Sequence, residues 1–181
     1  YRLNMIDRRL LVAGGNFYYP EVEYTGTAMK YEDGRWTTFD EKAAIDLVGA
    51  NTYHNVTDVV QDPDDSEHHW LGTKRSGIYE FKDYKLTRHF SYDNSPLTTI
   101  LPNSSNPQNY VRVTGLNYDS QKNLWMCNNQ CDTIVRILKN DGKWIAYFYE
   151  EIKGFPTFDY VKFDKRGWAW INSRRATSIS D

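Results

Sequence analysis

The sequence of 181 residues contains no long hydrophobic run, and its charges are nearly balanced. None of its apolar runs approaches the roughly 18 residues that a membrane-spanning helix requires. The 22 basic and 24 acidic residues leave a net charge of −2, and no basic block is present to contact a phosphate backbone. The sequence therefore argues against a membrane-spanning helix and against a nucleic-acid partner.

The short motifs that hold phosphates, catalytic serines or zinc are also missing. G-x-x-x-x-G-K-S/T, G-x-G-x-x-G, G-x-S-x-G and H-E-x-x-H do not occur. Zinc needs about four ligands, whereas the chain has two cysteines and four scattered histidines. The acidic run 62–67 (DPDDSE) has Glu67 where an EF-type calcium loop needs glycine, so it is better explained as a hairpin turn. We expect no metal, no cofactor and no catalytic residue.

Aromatic side chains, in contrast, are abundant: 6 Trp, 14 Tyr and 8 Phe make up 15% of the chain. The mean hydropathy of −0.73 is low enough to suggest disorder. The aromatic residues argue against disorder, because disordered chains lack the apolar surface that offsets the loss of chain entropy. Aromatic and β-branched residues outnumber good helix formers, and turn dipeptides recur, which together predict an all-β protein.

The chain also repeats itself. Four short strand-like runs each close on an aspartate, and the aspartates are 55, 57 and 45 residues apart: Asp7, Asp62, Asp119 and Asp164. A turn and a second apolar run follow each aspartate, and three of these runs carry a tryptophan at the same place: Trp70, Trp125 and Trp170. Third and fourth runs follow in three of the units. Because the repeated aspartates lie at equivalent turn positions, we interpret them as turn formers rather than as catalytic carboxylates.

Tandem units of four short strands are typical of a β-propeller built from four-stranded antiparallel blades. The alternative is a meander sandwich with accidental internal similarity. The predicted blades are 1–40, 56–93 and 111–150, with a half blade at 158–173. The chain is therefore expected to form one partial propeller of about three and a half blades over residues 1–181.

A propeller ring needs roughly four to eight blades. The chain starts at Tyr1 without a methionine and stops after half a blade, so we interpret it as a piece of a longer protein or as an array completed by a partner. An open blade edge favours self-association. Two copies could pair to approximate a seven-blade ring.

The second unit resembles the regulator-propeller repeat of two-component systems. The residues that carry the resemblance are Trp70, Leu71, Gly72, Thr73, Gly77, Ile78 and Tyr79. The third unit matches the pattern at Asp119, Asn123, Leu124 and Trp125, and the fourth at Asp164, Gly167 and Trp170. The first unit departs from it, with Leu11 and Val12 where tryptophan would lie. The motif resemblance covers about residues 56–172.

Two groups of proteins use such repeats: periplasmic sensor regions of hybrid two-component kinases, and the cell-surface propeller component of the type IX secretion system. The wide repeat spacing is closer to the second group. The resemblance implies a non-enzymatic, extracytoplasmic docking module of a Gram-negative cell surface, with protein partners in a surface or signalling complex. The alternatives are a glycan-sensing periplasmic region and a polysaccharide-acting propeller enzyme.

Propeller topology predicts which end of the blades binds. The turns between the first and second strands and between the third and fourth strands lie at one end, and they are short. The long segments at 15–27, 41–55 and 94–110 lie at the other end, together with the loops between second and third strands. Because function concentrates on loops held by a rigid scaffold, we expect a glycan or lipopolysaccharide ligand there.

The candidate ligand-binding residues fall into two sets. An aromatic cluster in the first long loop suits stacking on sugar rings, or alternatively forms a hydrophobic plug: Phe17, Tyr18, Tyr19 and Tyr24. Polar and basic residues occupy the equivalent loops of the other blades, where they could receive an anionic ligand or be merely solvated: Lys74, Arg75, Asn128, Asn129, Gln130, Arg174 and Arg175.

Two local features complete the prediction. Cys127 and Cys131 bracket the loop CNNQC, and they are either a disulfide or two free thiols. Segment 41–48 reads as a short helix with Asp40 capping its start and Gly49 ending it.

Overall fold

The computed structural model describes residues 2–14, 17–18, 22–23, 26–153, 155 and 157–174. These residues form three complete four-stranded antiparallel sheets, a two-stranded sheet that begins a fourth blade, and a small separate hairpin. The predicted all-β class and partial β-propeller are therefore confirmed. None of the helices formed by these residues has the length and apolar character needed to cross a membrane.

Each complete blade uses its four strands in chain order. Blade 1 contains β1 (Arg2–Ile6), β2 (Arg9–Gly14), β5 (Thr27–Glu32) and β6 (Arg35–Thr38), and the hairpin β3 (Phe17–Tyr18) and β4 (Val22–Glu23) is inserted within it. Blade 2 contains β7 (Val56–Gln61), β8 (His68–Thr73), β9 (Ile78–Lys82) and β10 (Lys85–Phe90). Blade 3 contains β11 (Val113–Tyr118), β12 (Leu124–Asn128), β13 (Val135–Leu138) and β14 (Trp144–Tyr147), and half blade 4 contains β15 (Thr157–Phe163) and β16 (Ala169–Arg174).

The connections between blades carry the helical segments. These are α1 (Glu41–Val48) and two 3-10 helices at Pro107–Tyr110 and Glu150–Ile152. At the start of α1, the Asp40 carboxylate accepts a hydrogen bond from the Ala43 amide (3.1 Å), and Gly49 ends the helix at φ +88°. The predicted helix and both of its caps are therefore confirmed, because a short side-chain acceptor and a glycine stand where the backbone needs them.

The repeated aspartates close the turn between the first and second strands of a blade. Asp119 accepts hydrogen bonds from the amides of Gln121 (2.8 Å) and Asn123 (2.9 Å), and its other oxygen accepts one from the indole Nε1 of Trp125 (2.8 Å). This network explains why an aspartate and a tryptophan recur six residues apart. The prediction that these aspartates form turns is confirmed here, since the backbone amides of the turn use the carboxylate.

The fourth unit repeats the same network. Asp164 accepts hydrogen bonds from the amides of Arg166 (2.8 Å) and Trp168 (3.0 Å), and Trp170 Nε1 lies 3.4 Å from its second oxygen. In blade 2 the turn is longer, and His68 instead of a tryptophan donates to the equivalent aspartate, Asp62.

The hydrophobic core is divided among the junctions between successive blades. Every blade packs its sheet face against the next, so a buried cluster forms at each junction rather than at the centre of one globule. Its members include Leu11, Ala28, Leu71 and Tyr79 between blades 1 and 2, Trp70, Ile78, Val113 and Met126 between blades 2 and 3, and Cys127, Ile134, Phe158 and Val161 between blades 3 and 4.

The three repeated tryptophans differ in burial. Trp70 is 2% exposed because blade 3 covers it, and Trp125 is partly covered by half blade 4. Trp170 is 55% exposed, because no described sheet packs on that face of half blade 4. The repeated sequence position is therefore one structural position, but its burial depends on the blade that follows.

The innermost strands are tied together by Arg2. Its guanidinium donates to both oxygens of Asp58 in blade 2 (3.2 and 3.3 Å) and to the Asp159 carbonyl in half blade 4. Asp58 also accepts a hydrogen bond from the Leu116 amide of blade 3 (3.1 Å). One arginine and one buried carboxylate therefore connect all four blades.

Blade 2 contains a second charged cluster, centred on Glu80. Its buried carboxylate accepts hydrogen bonds from Arg88 (2.5 and 2.6 Å), Thr87 (2.8 Å) and His68 Nε2 (2.8 Å). His68 Nδ1 faces Asp62 at 2.9 Å. A neutral imidazole donates from only one nitrogen, so two carboxylate acceptors favour the charged ring. Burial alone would lower the pKa of His68, but the bonds to Glu80 and Asp62 outweigh it and raise that pKa.

This arrangement predicts a pH-dependent contribution to stability. Because the pKa of His68 is raised by folding, its stabilising contribution is complete below the unfolded value of about 6.5 and is lost as pH rises through the folded pKa. Urea unfolding from pH 5.5 to 8.5 is expected to show that the stability difference between the parent and His68→Gln shrinks as pH increases. A difference that stays constant over this range would contradict the prediction.

Candidate binding face

The loops between second and third strands and the connections between blades meet at one end of the structure. We call this end the loop face and define it by residues 49–55, 74–77, 91–112 and 129–134. The Lys74 amide donates to the Asn55 carbonyl (3.1 Å), and the Val111 amide donates to the Arg75 carbonyl (2.7 Å). These bonds between segments join the loops and the connections into one surface.

The opposite end carries the short turns. There the Asp83 amide donates to the Glu67 carbonyl (3.0 Å), and the Asn140 amide donates to the Asn123 side chain (3.3 Å). An ion pair between Lys122 and Asp64 links the turns of blades 3 and 2. The two ends therefore differ as the topology predicts, with tight turns at one and longer segments at the other.

The first long loop is more regular than the sequence suggests. Phe17 and Tyr18 form strand β3, which pairs with Val22 and Glu23 of β4. A two-stranded ribbon therefore occupies part of the predicted aromatic loop, and Tyr19 and Tyr24 lie outside the described residues. The binding role of this aromatic cluster stays a prediction.

Arg75 lies between two connections of the loop face. Its guanidinium is 5.4 Å from the centre of the Tyr110 ring, and it donates to the Asn51 carbonyl at 3.4 Å. Its Nε is buried and has no hydrogen-bond partner among the described residues. Because Arg75 is only partly buried and its guanidinium makes a single hydrogen bond to the described residues, its terminal N–H groups are available to a ligand. Lys74, beside it, is half-buried.

Asn128 does not face solvent, because its side chain is fully buried. Its amide oxygen accepts from the amide (2.6 Å) and hydroxyl (3.0 Å) of Thr98, and its nitrogen donates to the carbonyls of Thr98 (3.0 Å) and Arg112 (3.2 Å). All of its hydrogen-bonding capacity serves to hold the connection from blade 2 against blade 3.

Asn129 is buried in the same way, at the junction with half blade 4. Its oxygen accepts from the Phe158 amide (2.8 Å), and its nitrogen donates to Thr114 Oγ1 (2.7 Å) and to the Phe158 carbonyl (3.2 Å). Both asparagines thus join neighbouring segments of the protein and are not presented on the loop surface. Gln130, the next residue, is exposed and accepts a hydrogen bond from Arg112.

Of the remaining predicted basic residues, the structure describes one. Arg174 is the last residue of β16, and Arg175 lies outside the described residues. Two further arginines were not predicted from the sequence: Arg112 on the loop face, beside Gln130, and Arg136 in β13, which is buried next to that face. Both stand singly in apolar surroundings of the sequence, so no pair or motif marks them.

The two cysteines are free thiols in the structure, so the disulfide alternative is not realised. Cys127 is buried in the cluster between blade 3 and half blade 4, and burial raises its pKa to about 12. Cys131 is half-buried and directs its sulfur toward the carbonyls of Thr98 and Asn129, each at 3.4 Å. The two side chains therefore lie in different surroundings.

Within the described part of the chain, no group of three or more His, Cys, Asp or Glu side chains is placed to hold a metal ion. In the acidic run 62–67, Asp62 and Asp65 accept hydrogen bonds from the amides of Asp64 (2.9 Å) and Glu67 (3.0 Å). These carboxylates shape the turn.

Comparison with protein-family models finds no match, and comparison with curated proteins finds none either. The resemblance to the regulator-propeller repeat therefore stays a prediction. Among solved structures, the chain is similar to PorZ, an essential bacterial surface component of the type-IX secretion system of Porphyromonas gingivalis. The similarity has a TM-score of 0.83 at 22% sequence identity. It covers 98% of this chain but only 23% of PorZ, so the chain spans about a quarter of that protein's length.

Proposed function

We propose that this chain is a non-enzymatic, extracytoplasmic β-propeller segment that serves as a docking module in a cell-surface secretion or anchoring component. The observation that carries the proposal is the fold similarity to PorZ over nearly the whole chain. The repeat spacing noted in the sequence supports the same group of proteins. A glycan-sensing region of a two-component kinase is the alternative role for the same fold.

The internal hydrogen bonding supports docking rather than catalysis. Asp119 and Asp164, at the first turns of blades 3 and 4, accept hydrogen bonds from backbone amides and from an indole nitrogen, so they are engaged away from the loop face. The loop face instead presents basic side chains on a backbone that is fixed by bonds between segments. A rigid surface of this kind suits the binding of a ligand or partner without chemical change.

The ligand that we propose for the loop face is an anionic glycan such as lipopolysaccharide. The proposal depends on Arg75, because Tyr110 and Asn51 hold its guanidinium in place while the residue stays only partly buried and keeps terminal N–H donors. Arginine forks match phosphate and carboxylate groups, and both groups occur on surface glycans.

The binding test compares the parent with Arg75→Gln in a titration with purified lipopolysaccharide. Losing a charge-assisted hydrogen bond is expected to weaken binding by about tenfold. Arg166→Gln is the matched control, because Arg166 pairs with Asp164 at a turn on the opposite end and should leave affinity unchanged. Equal affinities of the parent and Arg75→Gln would contradict a role for Arg75.

The cellular role requires a separate experiment. In the source bacterium, the full-length protein is expected to be accessible to protease on intact cells, and deletion of the encoded segment should reduce the cargo anchored at the surface. A transmembrane helix and kinase motifs in the full-length protein would instead establish the sensor role.

A further inference from the structure

Arg136 is a buried arginine that has no counterion among the residues that the structure describes. It lies on β13 of blade 3 and is 4% exposed. Its Nε is buried with no hydrogen-bond partner, and no described residue forms an ion pair with its guanidinium. Burial lowers the pKa of Arg136, as expected for a cation removed from water.

Among the described residues, the other buried cation is paired with carboxylates. Lys30 is equally buried, and its ammonium contacts Glu32 at 2.9 Å and Glu67 at 3.3 Å. Burying a charge without a partner is strongly unfavourable, and the cost is usually offset by an opposite charge. Arg136 therefore stands out as a buried cation for which the described residues supply no anion.

Its position places Arg136 next to the loop face. In the sheet it stands opposite Met126, so its side chain lies on the face of blade 3 that packs toward blade 2. Leu97 and Val111 of the connection from blade 2 pack in the same buried cluster as Met126, and Cys131 directs its sulfur to the Thr98 carbonyl of that connection. The guanidinium thus lies where that connection crosses blade 3.

Arg112 and Arg75 add further positive charge on the adjacent loop face. Arg112 donates to Gln130, one residue from Cys131, and Arg75 is close enough to lower the pKa of Arg112 further after burial has lowered it. Like charges this close repel one another, which an anion would relieve. Asp132, on the same loop, is exposed and makes no ion pair with Arg136.

We propose that Arg136 anchors an oxyanion-binding site where the connection 91–112 crosses blade 3. The ligand is a phosphate, sulfate or carboxylate group, free or as part of a larger molecule, because these groups match the planar donors of a guanidinium. The inference goes beyond the proposed docking role, since it depends on the unpaired Arg136 and holds whether or not the chain takes part in secretion.

Thermal unfolding with inorganic phosphate tests the site at constant ionic strength, with sodium chloride as the balancing salt. A ligand that binds the folded state raises the melting temperature, by about 3 °C or more at ten times its Kd for a chain of this size. Sulfate and acetate series then show whether a tetrahedral oxyanion or a carboxylate binds better. The shift is expected to saturate with at least one of the three anions.

Arg136→Met provides the decisive comparison. Without oxyanions its melting temperature should equal or exceed that of the parent, because replacing an unpaired buried charge by an apolar side chain is neutral or stabilising. Its oxyanion-induced shift should disappear. Arg166→Met, which removes an exposed arginine at the opposite end, should retain the parent's shift.

Several results would overturn the proposal. These are the absence of a saturable shift in the parent, an equal shift with chloride, or the same shift in Arg136→Met and the parent. If Arg136→Met does not fold, Arg136 has a structural partner and the proposal also fails. These outcomes are separate from lipopolysaccharide binding through Arg75, which is measured by affinity in the Arg75→Gln variant.

Discussion

Replacing Gly77 with alanine is expected to destabilise the protein by about 4 kcal/mol or to prevent folding. Gly77 follows the loop between β8 and β9 and has φ +86°, which L side chains rarely adopt. A Cβ added there would lie 2.1 Å from the Phe90 carbonyl oxygen and 3.2 Å from the Ser91 Cα. Both atoms belong to the backbone, so no side-chain rotation can relieve the clash.

Gly142→Ala is the matched control for this prediction. Gly142 has nearly the same conformation, φ +83°, but no atom lies within 4 Å of an added Cβ. This variant should lose only about 1–2 kcal/mol of unfolding free energy, which is the cost of holding an alanine in a left-handed conformation. Urea unfolding of both variants measures the difference. If they lose the same stability, the close approach of Phe90 to Gly77 is not a constraint.

The second large effect is expected at Asn129, where alanine should reduce the free energy of unfolding by about 3 kcal/mol. The substitution removes the acceptor of the Phe158 amide and the donor to Thr114, both of which are buried. Removing one partner leaves the other desolvated and unsatisfied, which costs more than the net value of the hydrogen bond.

Gln130→Ala, one residue away, is the control because Gln130 is exposed and interacts only with the Arg112 side chain among the described residues. Its stability should change by less than about 0.5 kcal/mol. Unfolding can be followed by intrinsic fluorescence, since Trp125 lies in the affected junction. Similar losses for the two variants would show that Asn129 does not support the contact with half blade 4.

Both predictions concern contacts between segments that keep the loop face rigid. Gly77 allows the loop of blade 2 to approach the strand end at Phe90, and Asn129 holds half blade 4 against blade 3. A docking surface gains affinity when its loops are ordered before binding, because less conformational entropy is lost. Variants that loosen these contacts should therefore weaken binding even where no ligand contact is removed.

Much of the architecture could be read from residue order. The aspartate turns, the four-strand units and the short helix depend on interactions within a few residues, and each has a local chemical signal. Asp119 and Trp125, for example, meet across one hairpin, so their spacing is enough to predict the turn. The half blade follows from the same reasoning, because its two strands repeat the pattern of the complete blades.

The site was harder to predict because partners that are distant in sequence decide whether its residues are buried or exposed. Asn128 and Asn129 follow a strand in sequence and would be expected in a loop. Asn128 is hydrogen-bonded to Thr98, 30 residues away, and Asn129 to Phe158, 29 residues away. A polar residue in a loop reads as a surface residue unless its partners are known. Arg136 shows the converse, because only the folded environment reveals that its buried Nε has no hydrogen-bond partner among the described residues.

Local chemistry along the chain thus established the strand pattern, the turns and the presence of about three and a half propeller blades. Which side chains are buried, and which hydrogen-bond partners they have, was decided by the packing of one blade against the next. The repeated tryptophans illustrate the division: the sequence places Trp70 and Trp170 at equivalent positions, yet one is 2% and the other 55% exposed. Hydrogen bonds within a hairpin join near neighbours and can be inferred from spacing, whereas contacts between sheets join segments that the linear order does not relate.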